Sequence, residues 1–136
     1  MKVNIRPKDC QFIVNEQERK VICILEGTRS LVMNFVDMNF FGLSAKEYNE
    51  LKMPNRFTGI ATCSAGDEWD EEVGKAIAFG KLKYKVNTSL FKRGNKLVEM
   101  LDKKLNRIIE QFDTYGEKIN ANEEKRRKWV EARMNK

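Results

Sequence analysis

From Val73 to Ile119 the chain repeats a spacing that alternates four and three residues without a slip. The positions are Val73, Ile77, Gly80, Tyr84, Asn87, Phe91, Gly94, Val98, Leu101, Leu105, Ile108, Phe112, Tyr115 and Ile119. Such a repeat marks a helix whose seam faces another helix. Few features constrain a fold more, because a helix of this length outruns any small sheet. Three seam positions break the apolar rule: Gly80, Asn87 and Gly94, at seven-residue steps. The C-terminal half of the seam is therefore dry, and the N-terminal half is small, polar and aromatic. A seam of that kind either brings two backbones close together or leaves room for a ligand.

The helix is expected from about Trp69 to Tyr115, which at 1.5 Å per residue is roughly 70 Å. Asp67 is the expected cap. Glu68, Asp70, Glu71 and Glu72 suit the positive end of the helix dipole. Gly116 is expected to kink or end the helix, and INANEEKRRKWVEARMNK reads as a further helix capped by Asn120 or Asn122. A second stripe, Ala76, Phe79, Leu82, Val86, Leu90, Leu97 and Met100, can cover a sheet. The seam needs a helix of its own, and no other segment is long enough. A homodimer through the seam is expected, since an unpartnered apolar seam favours aggregation.

Ahead of the helix, CQFIV and KVICILE flank the polar NEQER and read as a β-hairpin. From Thr28 to about Phe41, Leu31, Val32, Phe35, Val36 and Phe40 show helical spacing, with Thr28 as N-cap and Gly42 as stop. Ser44 and Glu47 have capping-box spacing for a short turn to Leu51. Met53-Pro54-Asn55 breaks the chain, and Arg56 to Cys63 reads as a third strand. The expected class is α+β: a small antiparallel β-sheet, hairpin plus third strand, packed on a very long C-terminal helix that pairs in a homodimer. The 136 residues suffice for one domain with a modest core. Residues 1–63 hold the sheet and a short helix, and 64–136 the long helix and the C-terminal helix.

The balance of 26 basic against 20 acidic residues gives a net charge of +6. Mixed signs along a helix describe a solvated face, but the excess favours anionic partners. The absence of His removes the commonest general base, the dyads and triads built on it, and most zinc sites. Cys10, Cys23 and Cys63 form no CxxC pair. A hairpin turning at Glu16-Gln17 sets Cys10 opposite Cys23, where a disulfide can form; without a signal peptide the three read better as reduced, half-buried thiols. The start MKVNIRPKDC has no apolar signal core, and no stretch approaches about 18 apolar residues. A cytoplasmic location with no membrane partner is expected.

No Gly-rich phosphate loop follows a strand in the required way. The carboxylates of GDEWDEE read as capping and dipole compensation, with a divalent metal the minor alternative. The better candidate is basic and aromatic. Arg56 opens the third strand, and Lys75, Phe79, Lys83, Tyr84 and Asn87 lie within three helical turns. Arg93, Asn95, Lys96, Lys103, Lys104 and Arg107 follow. Arginine grips phosphate bidentately, an aromatic face stacks on a base, and an amide reads a base or sugar edge. Aromatics at helical spacing are usually core, which is the first reading of Phe79 and Phe91, and Asn87 at a seam position can serve only to fix register. The proposed pocket gathers Arg56, Lys83, Asn87 and an aromatic from Phe79 or Tyr84 beside Gly80. Thr28-Arg29-Ser30 is a weaker anion site at a helix start.

The segment PNRFTGIATCSAGDEWDEEVGKAIAFGKLKYK resembles a phage-family pattern. Its parts are Pro-Asn-basic-Phe, x-Gly-Ile/Val-Ala-x-Cys, a DE-aromatic-D-x-E-x-Gly helix start, then Ile-Ala and basic residues. The family it looks most like is the phage Thoeris anti-defence sponge. The likeness covers about 30 residues, and the rest of the chain agrees in layout only. SAGDE stands where a Pro is expected in the turn. The resemblance implies a protein without enzymatic activity or cofactor. Such a protein sequesters the glycocyclic ADP-ribose signal of TIR-domain enzymes in two pockets at the ends of a helical dimer. Some members assemble as hexamers and also bind cyclic oligonucleotides. Carried onto this chain, it makes Arg56 a phosphate contact, Trp69, Phe79 and Tyr84 stacking planes, and Lys83 and Asn87 polar contacts.

Other readings compete. A sheet with a basic helix also suits a double-stranded-RNA-binding module, although its basic residues are not gathered at a loop–helix junction. A structural phage protein would use the seam alone. An enzyme acting on nucleotides would need a nucleophile beside a base, which the sequence does not offer.

Overall fold

The structure, a computed structural model, describes residues 4–35 and 42–135. A 3-10 turn at Pro7–Asp9 leads into β1 (Gln11–Asn15) and β2 (Lys20–Glu26). Helices α1 (Leu31–Phe35) and α2 (Ala45–Glu50), strand β3 (Arg56–Thr62) and helix α3 (Glu71–Met134) complete the order. The sheet is antiparallel in the order β1-β2-β3 and packs against α3, giving the α+β class. Contacts divide the chain into two compact units, Met1–Val98 and Glu99–Lys136.

The hairpin forms as its alternation dictates, but its loop is Glu16 to Arg19, closed by the pair Asn15↔Lys20. Asn15 Oδ1 accepts from Glu18 N at 3.0 Å, the short-range bond that suits Asn to turns. Arg19 takes a left-handed φ of 54°. The loop is thus centred one residue later than a Glu16-Gln17 turn, and Cys23 pairs with Phe12 instead of Cys10. Two-residue steps keep a side chain on its face, so Cys10 remains diagonal to Cys23. All three cysteines are free thiols.

One face of the sheet makes the core. Val21, Cys23 and Leu25 of β2 and Ala61 of β3 are buried there. Against them α3 sets Ala78, Leu82 and Val86, four residues apart on one helical stripe. Leu43, Leu51 and Met53 bury with them. The crossing is tightest at Gly59, where a Cβ would lie 2.0 Å from Ala78 O and 2.7 Å from Leu82 N. Only glycine lets the helix backbone approach that far.

Several local expectations are corrected. Asp70, not Asp67, caps α3: its Oδ1 accepts from Glu72 N and Val73 N at 3.0 and 3.2 Å. Asp67 instead offers its carbonyl to Arg19 Nη2. The helix does not end at Gly116, and there is no separate C-terminal helix, because α3 runs unbroken to Met134. One interior glycine costs about 1 kcal/mol, and the turns beyond it carry pairs such as Arg126–Glu123 and Arg127–Glu124 that support a helix. Thr28 is no side-chain cap; its hydroxyl donates to Pro54 O. The expected stretch of that helix to Phe41 lies outside the described residues. Ser44 and Glu47 form the capping box of α2 as expected.

The free edge of β3 is covered from α3. Lys81 Nζ donates to Ile60 O at 3.1 Å and Lys85 Nζ to Thr58 O at 2.9 Å. No described helix is long and apolar enough to cross a membrane. Gly59→Ala should lower stability by about 1–3 kcal/mol through overpacking. Gly116→Ala, where a Cβ meets nothing within 4 Å, should raise it by up to about 1 kcal/mol. Thermal unfolding of the two variants checks both signs.

Candidate functional site

On the turns of α3 that pass the free edge of β3, Tyr84, Lys85, Thr88, Ser89, Lys92 and Arg93 line a concavity of about 270 Å³. Spacings of three and four bring Lys85, Thr88, Ser89 and Lys92 onto one strip of the helix. Tyr84 is 74% exposed, so its ring is free to receive a ligand. Lys85 is steadied by the Thr58 carbonyl, and Arg93 Nε donates to Lys52 O at 3.2 Å. Both cations are thus held by backbone oxygens, which fix them without neutralising their charge. The lining offers three cations, two hydroxyls and a phenol ring, and it contains no carboxylate. That set can hold phosphate oxygens, bond sugar hydroxyls and stack on a base.

Tyr84 is common to this surface and the sequence-based site. The other expected site residues are dispersed. The Arg56 guanidinium pairs with Glu26. Arg56 does not lie near the start of α3: Ile60 meets Lys81 and Thr58 meets Lys85, so walking back along β3 leads toward later turns of the helix. The strand's seven residues carry Arg56 away from the end where Ala61 and Cys63 face Val73 and Gly74. Trp69, half-buried, lines that end. Phe79 lies on the other flank, with Pro7, Phe12 and Lys75. Gly80 shares an open surface with Ile77, Lys81 and Tyr84. Asn87 borders a groove with Val32, Phe91 and Gly94, and Lys83 is exposed. Within one chain these residues do not form one pocket.

The Thr28-Arg29-Ser30 site is also spent in part. Thr28 is buried with its hydroxyl committed to Pro54 O, and Arg29 O accepts from Met53 N. Of the GDEWDEE carboxylates, Asp70 caps, and Glu71 and Glu72 pair with Lys75 at 3.7 and 3.8 Å. Among the described residues no three His, Cys, Asp or Glu side chains group to hold a metal ion. Sequence reasoning passed over Lys85, Thr88, Ser89 and Lys92 because they flank the seam. A three–four strip mixing hydroxyls with cations was the available signal.

No protein-family model matches the chain, and no curated protein or solved structure is significantly similar to it. Its chemistry must be read from its own side chains, and the thiols give one early check. Burial pushes the Cys23 thiol up to about 12, with the Cys10 thiol adding to the rise. A group raised in this way stays protonated through neutral pH. At pH 8, Cys63, half-buried, should react with an alkylating reagent in the native protein, and Cys10, whose thiol burial also pushes up, should react more slowly. Cys23 should react only on unfolding, as mass spectrometry of digests would record.

Proposed function

We propose that the protein is a non-enzymatic binding protein that sequesters a cyclic ADP-ribose-type signal. By that route it would serve a phage in evading Thoeris-type immunity within the bacterial cytoplasm. The observation that carries this reading is the Tyr84–Arg93 surface, where an aromatic plane, hydroxyls and uncompensated cations converge without a carboxylate. A cyclic ADP-ribose-type ligand presents the complementary groups: a pyrophosphate for Lys85, Lys92 and Arg93, ribose for Thr88 and Ser89, and a base for Tyr84. The likeness of Pro54–Lys85 to the phage sponge pattern supports the same class of ligand. A chain without His is poorly equipped for acid–base chemistry on a bound nucleotide, so capture is favoured over turnover.

Calorimetry with cyclic ADP-ribose and its glycocyclic isomers tests the reading. The wild type should bind one of them and return it unaltered on denaturation. Losing one charge-assisted contact to phosphate typically costs about 1.5–3 kcal/mol, roughly 10- to 150-fold in affinity. Arg93→Ala should weaken binding by about that factor, whereas Arg56→Ala should leave it nearly unchanged. A loss at Arg56 alone would return the site to the start of β3. Duplex RNA should bind weakly and lose affinity steeply with salt; tight RNA binding that survives high salt, with no response to the cyclic nucleotides, overturns the proposal.

A further inference from the structure

The sheet has two outer edges, and they are finished differently. Cys63 N donates to Arg19 O at 2.9 Å. Backbone groups alternate edges from one residue to the next in an antiparallel sheet. Val21, Cys23 and Leu25 therefore bond to β3, and Lys20, Ile22 and Ile24 bond to β1. Their partners on β1 are Asn15, Ile13 and Gln11, so the N–H and C=O groups of Phe12 and Val14 point outward. The same alternation turns Thr58 and Ile60 outward on β3, where Lys85 and Lys81 meet their carbonyls. On β1 no described residue meets the outward groups. The strand, QFIVN, has neither charge nor proline, the devices that commonly blunt an edge.

A recess adjoins this edge. Pro7, Phe12, Glu72, Lys75, Ala76 and Phe79 line about 310 Å³. Lys75 sits over the Phe12 ring at 6.0 Å and pairs with Glu71 and Glu72, so its charge is already partnered. What remains between Phe12, Ala76 and Phe79 is apolar. On an added strand, the residue opposite Phe12 sends its side chain to the same face as Phe12, and so toward the recess. This flank of α3 is not the one that carries the Tyr84–Arg93 strip, and the inference does not rest on the ligand reading.

Charge gives the edge a direction. Gly74 meets Val21, the partner of Val14, and Ala78 meets Gly59, which lies across Cys23 from Phe12. Helix α3 therefore runs from the hairpin end of β1 toward its start. Glu72 and the loop residues Glu16 and Glu18 lie at the hairpin end. Lys8, beside Pro7, and Lys83, one turn beyond Phe79, lie at the other. All five are exposed, whereas Asp9 is held by Arg6. We propose that β1 receives an extended segment of a partner protein as a fourth, antiparallel strand. The segment places a large apolar side chain in the Phe12–Phe79 recess, with a basic residue before it and an acidic one after it. Backbone pairing supplies affinity in such an addition, and the recess supplies specificity.

The probe is the capped peptide Lys-Thr-Val-Thr-Phe-Thr-Glu, which sets its Phe across from Phe12 and its Val across from Val14. Titration against the full chain should show saturable binding. Residue-resolved hydrogen exchange should slow about tenfold or more at the Phe12 and Val14 amides, with little change at Ile13, which is already bonded to Ile22. N-methylation of the peptide's Phe and Val removes the two donors and keeps the side chains. It should weaken binding about tenfold or more, as should replacing the peptide's Phe with Thr. Exchanging its terminal Lys and Glu should weaken binding about threefold. Absent binding or unchanged exchange at Phe12 and Val14 overturns the proposal, as does any of the altered peptides binding as tightly as the parent. Protection of those two amides that rises with protein concentration, without peptide, overturns it too, because a second copy would then hold the edge.

Discussion

The distance at which α3 lies on the sheet is set at Gly59, and the arrangement of the first unit depends on it. The absent Cβ lets the Ala78 carbonyl sit where a methyl group would otherwise be. With the axis that close, Ala78, Leu82 and Val86 reach Val21, Cys23 and Ala61, and the core closes with small and medium side chains. The same approach puts Lys81 and Lys85 within reach of the Ile60 and Thr58 carbonyls. It leaves the seam on the far side of the helix, turned away from the sheet.

One helix therefore carries three faces with different tasks. Its inner stripe is the lid of the sheet. Its flank beside β3 gathers Tyr84, Thr88, Ser89, Lys92 and Arg93. Its outer seam remains apolar and open. The flank and the seam share Tyr84.

Much of this was legible in the sequence, and the misses have physical causes. Strand alternation found all three strands, and Ser44-x-x-Glu47 announced its capping box. The hairpin register depended on a four-residue loop closed by Arg19 in a left-handed conformation, which few would read from an arginine. Asp67 and Asp70 are equal candidates for a cap until the chain's path fixes which one sits a residue before the first helical turn. Gly116 looked like a stop because its local cost is visible in sequence, while the helical context that absorbs the cost is spread over many residues. The expectation that Arg56 lies near the start of α3 failed on length: a seven-residue strand is extended, so its first residue is far from the turn and the first helical turn that come after its last. The Tyr84–Arg93 surface was half seen, because the seam drew attention from the strip beside it.

The two lysines against the β3 edge have a wider consequence. An open strand edge is an invitation to further strands, and β3 carries the exposed Ile60 in the same sheet as the exposed Ile13. By occupying the outward carbonyls of Thr58 and Ile60, Lys81 and Lys85 remove the acceptors an incoming strand would use, and they add like charges where two such edges would meet. Sheet extension into fibrils is thereby discouraged along the β3 edge. A chain that carries a long apolar helix face thus meets its neighbours with charge, not with open acceptors, along this strand.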